Sequence, residues 1–261
     1  MIKFTQTRYC QKFFFYANDE MIGQSLLRYG EYSQAELILL LSMMTKDAVV
    51  YDVGANIGYH TTAFASVAKH VYAFEPHPRN YAMLKINTAS LTNVTAMNCA
   101  VSQTQGHVYV TDFDPEQSGN FGAVCVTAEE TAISVPCMTL DQAGLDPPDL
   151  IKIDVEGHEL DVLQGCQEII AQRCPVIYYE AHESKHLKEI YEMLQPLGYR
   201  FYWAQVNNYN PDNFASNKEN IFGDSGLMSI LAWPKNLPEL PMTPVLGAED
   251  TASRFYINGH P

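Results

Sequence analysis

The feature that most constrains the fold is the alternation of short, β-rich apolar runs with helical stretches along most of the chain. Predicted strands occupy residues 48–53, 70–74, 94–101, 150–154 and 176–179, with closing strands at 200–206 and 227–233. Predicted helices lie between them at residues 59–68, 78–90, 159–172 and 186–194. Such alternation is typical of a parallel sheet with helices on both faces. We therefore predict a doubly wound α/β fold with a mostly parallel sheet of about seven strands.

Two segments interrupt this alternation. Residues 106–137 contain short runs separated by Ser-Gly-Asn and Gly-Ala turns, which predict a β-hairpin insertion between the third and fourth strands. Residues 1–20 indicate an irregular or short-strand arm, and Ser33 to Glu36 have the form of a capping box before a buried helix. We therefore divide the chain into an N-terminal arm and helix (1–47), an α/β domain (48–235) and a C-terminal extension packed on or trailing it (236–261).

Composition and net charge indicate the class of protein and the partners that it disfavours. The 261 residues are 47% hydrophobic and 18% charged, as in an ordinary globular enzyme. The formal net charge is −14 and there is no run of Lys and Arg, so electrostatic repulsion disfavours a nucleic acid partner. The chain has neither an apolar stretch of about 18 residues nor a signal-peptide cleavage pattern. We expect a cytoplasmic protein that does not bind membranes.

A glycine-rich turn, Asp52-Val53-Gly54-Ala55-Asn56-Ile57-Gly58, follows the first predicted strand. Glycines permit a tight turn and the close approach of a ligand, and the free N–H groups of the next helix face that ligand. The second strand ends in Glu75, about 20 residues after the first glycine, the spacing at which an acid binds a ribose diol. These features predict a nucleoside site at the carboxyl ends of the strands.

The charges around this turn indicate which nucleoside it suits. The G-x-G-x-x-G pattern of dinucleotide sites is absent, and no basic residue stands in the turn to meet a phosphate. Asp52 precedes the first glycine, where its charge opposes a pyrophosphate but favours the ammonium and sulfonium of S-adenosylmethionine. S-adenosylmethionine is therefore preferred over a dinucleotide, and over a purely structural turn.

Three motifs occur in order along the chain: D-V-G-A-N-I-G-Y-H-T, then A-F-E-P-H-P, then I-K-I-D-V-E-G-H-E-L-D-V-L-Q-G. Together, over residues 49–206, they resemble the FkbM family of methyltransferases. The resemblance implies an S-adenosylmethionine-dependent enzyme that O-methylates a macrolide, a sugar or another secondary metabolite. It also implies the cofactor contacts: Asp52, Gly54, Asn56 and Gly58 at the methionine end, Glu75 at the ribose and Ala100 beside the adenine. Tyr59, Pro76 and Asp154 complete the predicted cofactor-binding set.

Charged residues concentrate at the end of the fourth predicted strand. Side chains on a strand repeat every two residues, so Asp154 and Glu156 are expected on the same side. Methyl transfer to a hydroxyl requires loss of the acceptor proton, and a base contributes about 10²–10⁴ in rate. Asp154 and His158 are the predicted bases, and Glu156 is predicted to orient a base or help bind a cation. Glu180 ends the fifth strand and is predicted to receive a substrate hydroxyl or serve as a metal ligand. The alternative for the charged residues after the fourth strand is a cluster that only caps the following helix.

Metal chemistry is left open by the sequence. Mg²⁺ prefers oxygen ligands and is compatible with these acids, but no metal ligand is assigned. His182 to His186 match H-E-x-x-H, yet the motif leaves directly from an apolar strand without an evident third ligand, which disfavours a zinc peptidase. The six cysteines are scattered without a C-x-x-C pair, which favours reduced thiols.

The predicted function is O-methylation of a hydroxyl on a small molecule or sugar. Two alternatives stay open: a catalytically silent S-adenosylmethionine-binding module, and a methyltransferase that acts on a protein. The N-terminal arm is expected either to cover the acceptor site or to form a homodimer contact.

Overall fold

The computed structural model describes residues 1–127, 129, 132–181 and 186–250. The N-terminal arm forms β1 (Ile2–Thr5), β2 (Phe13–Tyr16), α1 (Ile22–Tyr29) and α2 (Gln34–Ser42). The first half of the α/β unit follows as β3 (Val49–Val53), α3 (Tyr59–Ala65), β4 (His70–Phe74), α4 (Pro78–Thr88) and β5 (Val94–Met97). A second group of strands consists of β6 (Ala100–Val101), β7 (Gly106–Val110), β8 (Val126–Thr127) and β9 (Ile133–Met138).

The second half of the α/β unit completes the fold. It contains β10 (Leu150–Ile153), α5 (Glu159–Gln164), α6 (Gln167–Arg173), β11 (Val176–Glu180) and α7 (Leu187–Leu194). A short 3₁₀ turn (Gln195–Leu197) leads to β12 (Tyr199–Asn207), β13 (Gly226–Pro234) and β14 (Thr243–Pro244).

The main sheet has eight strands in the order β14-β12-β13-β11-β10-β3-β4-β5. The five strands from β11 to β5 are parallel, and β13, β12 and β14 are antiparallel. The chain moves outward from β3 to β5 and then returns to β10 on the other side of β3. This reversal creates the crevice at which open α/β sheets bind ligands. The α/β class with a mostly parallel sheet was predicted; the strand additional to the expected seven is the short edge strand β14.

Helices cover both faces of the main sheet, as β3 illustrates. Tyr51 packs in a core cluster with residues of α5, α6 and α7, whereas Val50 packs in another with residues of α1 to α4. Both side chains are fully buried. Within the described part of the chain, no helix combines the length and apolar character that a membrane span requires. The cysteines are unpaired, in agreement with the prediction of reduced thiols.

The chain between β5 and β10 forms its own four-stranded sheet, in the order β6-β9-β7-β8, rather than a lone hairpin. The strand predicted over 94–101 is therefore divided: β5 pairs with β4 in the main sheet, and β6 pairs with β9 in the small one. This division turns the chain across the end of the main sheet, so the small sheet lies beside the carboxyl ends of the strands.

Three local predictions were wrong. The helix predicted over 159–172 is two helices, because Gly165 packs so closely on Ser102 that a Cβ would lie 2.1 Å from its carbonyl oxygen. Helix α1 was not predicted; Asp19 begins it by accepting from the N–H groups of Met21 and Gly23 at 2.9 and 3.2 Å. The capping box at α2 does not form, because the Ser33 hydroxyl donates to the Glu36 carboxylate instead of capping the helix.

Candidate active site

A cavity of about 350 Å³ opens at the carboxyl ends of β3, β4, β10 and β11. This volume lies within the range of small-molecule sites. Six predicted cofactor-binding residues line the cavity on the side of β3, β4 and the small sheet: Gly54, Asn56, Tyr59, Glu75, Pro76 and Ala100. The four predicted catalytic residues line it at the ends of β10 and β11: Asp154, Glu156, His158 and Glu180. The structure therefore brings the two predicted sets together around one space.

Asp52 and Gly58, which were expected on the wall, lie behind it. The Asp52 carboxylate is fully buried; it accepts from the Thr61 hydroxyl at 2.6 Å and lies 3.6 Å from Lys152 Nζ. Gly58 has a φ of +89° and packs on α4, where a Cβ would lie 2.6 Å from a methyl carbon of Leu84. Both residues hold the glycine-rich turn in place, and neither lines the cavity.

Gly54 joins the two halves of the crevice. Its φ is +78°, and a Cβ there would lie 1.7 Å from the carbonyl oxygen of Asp154. The backbone that follows β10 therefore leaves no room for a side chain at this position, whether or not a ligand is bound. The close contact brings the turn after β3 against the acids after β10.

Glu75 is buried at the end of β4. Its carboxylate accepts from the N–H groups of Asn56 and His77, both at 2.8 Å. Burial raises the pKa of Glu75 to about 7, although these two hydrogen bonds favour the ionised form. An ionised carboxylate has about four acceptor positions. Two positions therefore stay available to hydroxyl groups of a ligand in the cavity.

The small sheet and its connections supply another side of the wall. Asn120 and Gly122 line the cavity, but Phe121 turns inward and is buried. The Phe121 ring stacks on Phe113 with 4.4 Å between centroids, and its carbonyl accepts from Asn80 Nδ2 at 3.1 Å. The stacked rings fix the loop that approaches the glycine-rich turn.

Lys152 organises the acids after β10. Its Nζ lies 3.2 Å from Asp154 Oδ2 and donates to the carbonyl of Gly54 at 3.2 Å. Burial is the largest single influence and opposes ionisation of Asp154, but the charge and hydrogen bond of Lys152 together with the hydrogen bond of Glu180 outweigh it and hold the pKa of Asp154 below its ordinary value. Burial and the charge of Asp154 raise the pKa of Glu180 well above its usual range. Asp154 is therefore the ionised member of this pair and Glu180 the protonated one.

Asp154, Glu156 and Glu180 each place a carboxylate oxygen within 4.8 Å of the others. Strand alternation does not cause this convergence, because β10 ends at Ile153 and Glu156 has a φ of +53°. The turn that follows the strand folds Glu156 back towards Asp154. Lys152 lies 3.2 Å from Asp154 and is shared with the buried carboxylate of Asp52, 3.6 Å away.

His158 stands at the edge of the cavity. Its Nδ1 lies 3.0 Å from Asp161 Oδ2 on the first turn of α5, and about a third of its side chain is exposed (34%). The second histidine group considered from the sequence, the H-E-x-x-H motif, includes His182 to Lys185, which lie outside the described residues.

Several residues of the wall were not predicted from the sequence. Lys152 was treated as part of an apolar strand, and Glu36 as a helix cap. The N-terminal arm contributes four wall residues, which are Met21, Ile22, Tyr32 and Glu36. No local pattern brings this arm to the crevice, because its contacts depend on the packing of α1 and α2 in the core.

A family model, the methyltransferase FkbM domain, matches residues 52–201. The chain belongs to the FkbM methyltransferase family. Two curated relatives are a hexuronic acid methyltransferase, AglP, of Haloferax volcanii and a 2-O-methyltransferase, NoeI, of Sinorhizobium fredii. The AglP match is 31% identical over 160 residues, covering 60% of this chain but only 65% of AglP. The NoeI match is 28% identical over 182 residues, covering 60% of this chain and 72% of NoeI.

A solved structure supports the same fold. The crystal structure of an FkbM methyltransferase from Methylobacillus flagellatus aligns with a TM-score of 0.50 at 19% identity. The alignment covers 73% of this chain and 44% of that one. At this level of identity the likeness concerns the fold alone. The predicted resemblance to the FkbM family is confirmed by the family match.

Proposed function

We propose that this chain transfers a methyl group from S-adenosylmethionine to a hydroxyl of a sugar or another small molecule. The observation that carries the proposal is the position of Glu75 on the cavity wall, two strand ends away from the Asp154–Glu180 pair. A carboxylate with free acceptor positions beside a glycine-rich turn suits a ribose diol. Acids on the opposite side of the same cavity suit an acceptor with several hydroxyls.

The acceptor class is supported by the relatives. One is named for a hexuronic acid, which is a sugar acid, and another as a 2-O-methyltransferase, which transfers to oxygen. Ionised Asp154 can accept a hydrogen bond from a hydroxyl, and protonated Glu180 can donate one. Asp154 and Glu180 can therefore orient an alcohol between them. His158 and Glu156 line the same part of the cavity.

The nucleoside part is tested by isothermal titration with S-adenosylhomocysteine, with NAD as the matched control. Binding of S-adenosylhomocysteine at micromolar Kd and no heat with NAD are expected. The Asp154→Asn variant should bind S-adenosylhomocysteine as the wild type does, because its side chain is assigned to the acceptor. Failure of folded wild-type protein to bind S-adenosylhomocysteine would remove the basis of the proposal.

The acceptor part is tested by transfer of radiolabelled methyl from S-adenosylmethionine to methyl glycosides of glucose, fucose and glucuronic acid. Labelled methyl ether in the presence of EDTA is expected from at least one of them, at a lower rate with Asp154→Asn. Binding of S-adenosylhomocysteine without turnover of any hydroxylated acceptor would instead favour a silent binding module. An unchanged rate in Asp154→Asn would remove this residue from the reaction.

A further inference from the structure

The N-terminal arm brings a buried carboxylate into the cavity beside a histidine. Glu36 Oε2 lies 3.3 Å from His60 Nε2, and both residues line the cavity. Their side chains are only 6% and 9% exposed, so this is not a surface ion pair. Glu36 also precedes the residues that the family model matches, and family membership therefore assigns it no role.

The surroundings keep Glu36 charged. Burial opposes its ionisation, but the positive charge of His60 in its protonated form, Lys152 and the hydroxyl of Ser33 together hold the pKa of Glu36 below its ordinary value. The same attraction stabilises the imidazolium form of His60. An ionised carboxylate only accepts hydrogen bonds, so a proton between the two groups belongs on Nε2 of His60. In a neutral imidazole this leaves Nδ1 as the acceptor. Within the described residues the buried Nε2 makes no hydrogen bond of good geometry, so the 3.3 Å contact with Glu36 is an ion-pair distance. Catalytic hydrogen bonds are commonly long or poorly aligned before substrate binds.

His60 is better suited to take a proton than the two bases predicted from the sequence. No hydrogen bond engages its Nδ1 within the described part of the chain. Asp154 is paired with Lys152, and a carboxylate with a lowered pKa is a weak base. His158 directs its Nδ1 at Asp161 and stands at the partly exposed edge of the cavity. His60 and Asp154 both line the cavity.

We propose that His60, oriented by Glu36, is the general base of the methyl transfer, an inference that rests on the proposed function. The acceptor oxygen bonds to the methyl carbon as the carbon–sulfur bond breaks, and the electron pair of that bond stays on sulfur. The hydroxyl proton passes to Nδ1 of His60. The products are a methyl ether, S-adenosylhomocysteine and an imidazolium stabilised by Glu36, which then loses its proton to solvent.

The first test needs no acceptor. Nitrogen-15 NMR of histidine-labelled full-length protein, bound to S-adenosylhomocysteine at pH 8, reports which nitrogen of His60 carries a proton. The proposal requires a neutral ring with the proton on Nε2, and loss of this preference in Glu36→Gln. A ring that is doubly protonated at pH 8, or that carries its proton on Nδ1, would overturn the proposal. This result stands whether or not an acceptor has been found.

The second test measures single-turnover methyl transfer to the best acceptor of the glycoside panel. His60→Asn should lower the rate constant by about 10²–10⁴ and leave the Kd for S-adenosylhomocysteine unchanged within about threefold. Glu36→Gln gives a second variant with a smaller loss, in case His60→Asn does not fold. His70→Asn is the matched control, because it removes an imidazole that does not line the cavity and whose Nε2 lies 2.9 Å from Thr95 Oγ1.

The pH dependence separates catalysis from a structural role. Titratable groups near His60 lie on the arm (Tyr32 and Glu36), on its own helix (Tyr59) and directly after β10 (Asp154). Lys152 of β10 acts on Glu36. The acid limb of the rate profile should disappear in His60→Asn and persist in His70→Asn. A full rate in His60→Asn, or a rate loss matched by an equal loss of S-adenosylhomocysteine affinity, would refute the assignment. Absence of turnover in the wild type with normal binding would instead count against the proposed function.

Discussion

Glu75 offers a sharp test of the nucleoside site, because substitution by glutamine removes the charge of the side chain and keeps its size. In Glu75→Gln, one amide oxygen replaces one of the two carboxylate oxygens that accept from Asn56 and His77. The other N–H then faces an NH₂ group and loses its partner. The variant also presents fewer acceptor positions to a ribose diol, so we expect the Kd for S-adenosylhomocysteine to rise at pH 8.

The magnitude follows from the pKa of about 7. If the ligand binds only ionised Glu75, the affinity of the wild type should increase about tenfold between pH 6 and pH 8, with protons released on binding at the lower pH. Loss of hydrogen bonds to a charged acceptor costs about 1.5–3 kcal/mol each. Glu75→Gln should therefore raise Kd at least about tenfold at pH 8 and abolish the pH dependence.

The free energy of unfolding should change much less than ligand affinity in Glu75→Gln. The folded state holds the Glu75 proton more tightly than the unfolded chain, so the stability of the wild type falls as pH rises from about 4.5 to about 7. That loss amounts to about 3 kcal/mol, which offsets the hydrogen bond that Glu75→Gln loses. Reduced affinity in the variant should therefore not be accompanied by a large loss in urea denaturation.

The assay is isothermal titration with S-adenosylhomocysteine at pH 6, 7 and 8 in buffers of different ionisation enthalpy. Asp19→Asn is a matched control: Asp19 is also buried, accepts from two backbone N–H groups and has a pKa raised by burial, but its own side chain does not line the cavity. The control should retain the tenfold pH dependence. If Glu75→Gln also retained it, the assignment of Glu75 to the ligand would be refuted.

Three further substitutions test the architecture of the site by urea denaturation and titration with S-adenosylhomocysteine. Gly54→Ala should cost about 1–3 kcal/mol of stability and weaken ligand binding, because its Cβ meets the Asp154 carbonyl; normal stability would contradict that contact. Lys152→Met should cost about 3–5 kcal/mol at pH 7, since it leaves the carboxylate of buried Asp52 unpaired; a loss below about 1 kcal/mol would count against the ion pair. Phe121→Ala should cost about 3–5 kcal/mol by removing a buried stacked ring, and unchanged unfolding would show that the loop does not depend on the stack.

The sequence predicted the parts of the fold that are specified locally. Apolar runs bounded by glycine and proline located β3, β4, β10 and β11 within one or two residues, and the order of strands and helices indicated the α/β class. Glu75 and Asp154 could be placed on the cavity because each follows directly after a parallel strand. Their positions depend on strand direction, which the alternation itself specifies.

What the sequence could not predict depends on contacts between distant segments. Asp52 was expected to contact the ligand, but its carboxylate instead contacts Thr61 and Lys152. These contacts depend on the packing of α3 and β10 against β3, which the local sequence does not specify. Glu36 has a local explanation as a capping glutamate, which hides its long-range pairing with His60. A charged residue with a sufficient local role gives no signal that it has a second partner elsewhere in the chain.

The origin of the wall residues suggests how acceptors can differ within this family. The side proposed to hold the nucleoside is built from the turn after β3, the end of β4 and the small sheet, all within the residues that the family model matches. The opposite side also includes Tyr32 and Glu36 from before that region, and Asn208, Ser225 and Leu227 from after it. Because these segments lie on different elements from the glycine-rich turn, substitutions in them can reshape the acceptor side while the nucleoside side keeps its geometry. We therefore expect acceptor choice in this chain to depend on residues 32–36 and 208–227 more than on the three motifs that identify the family.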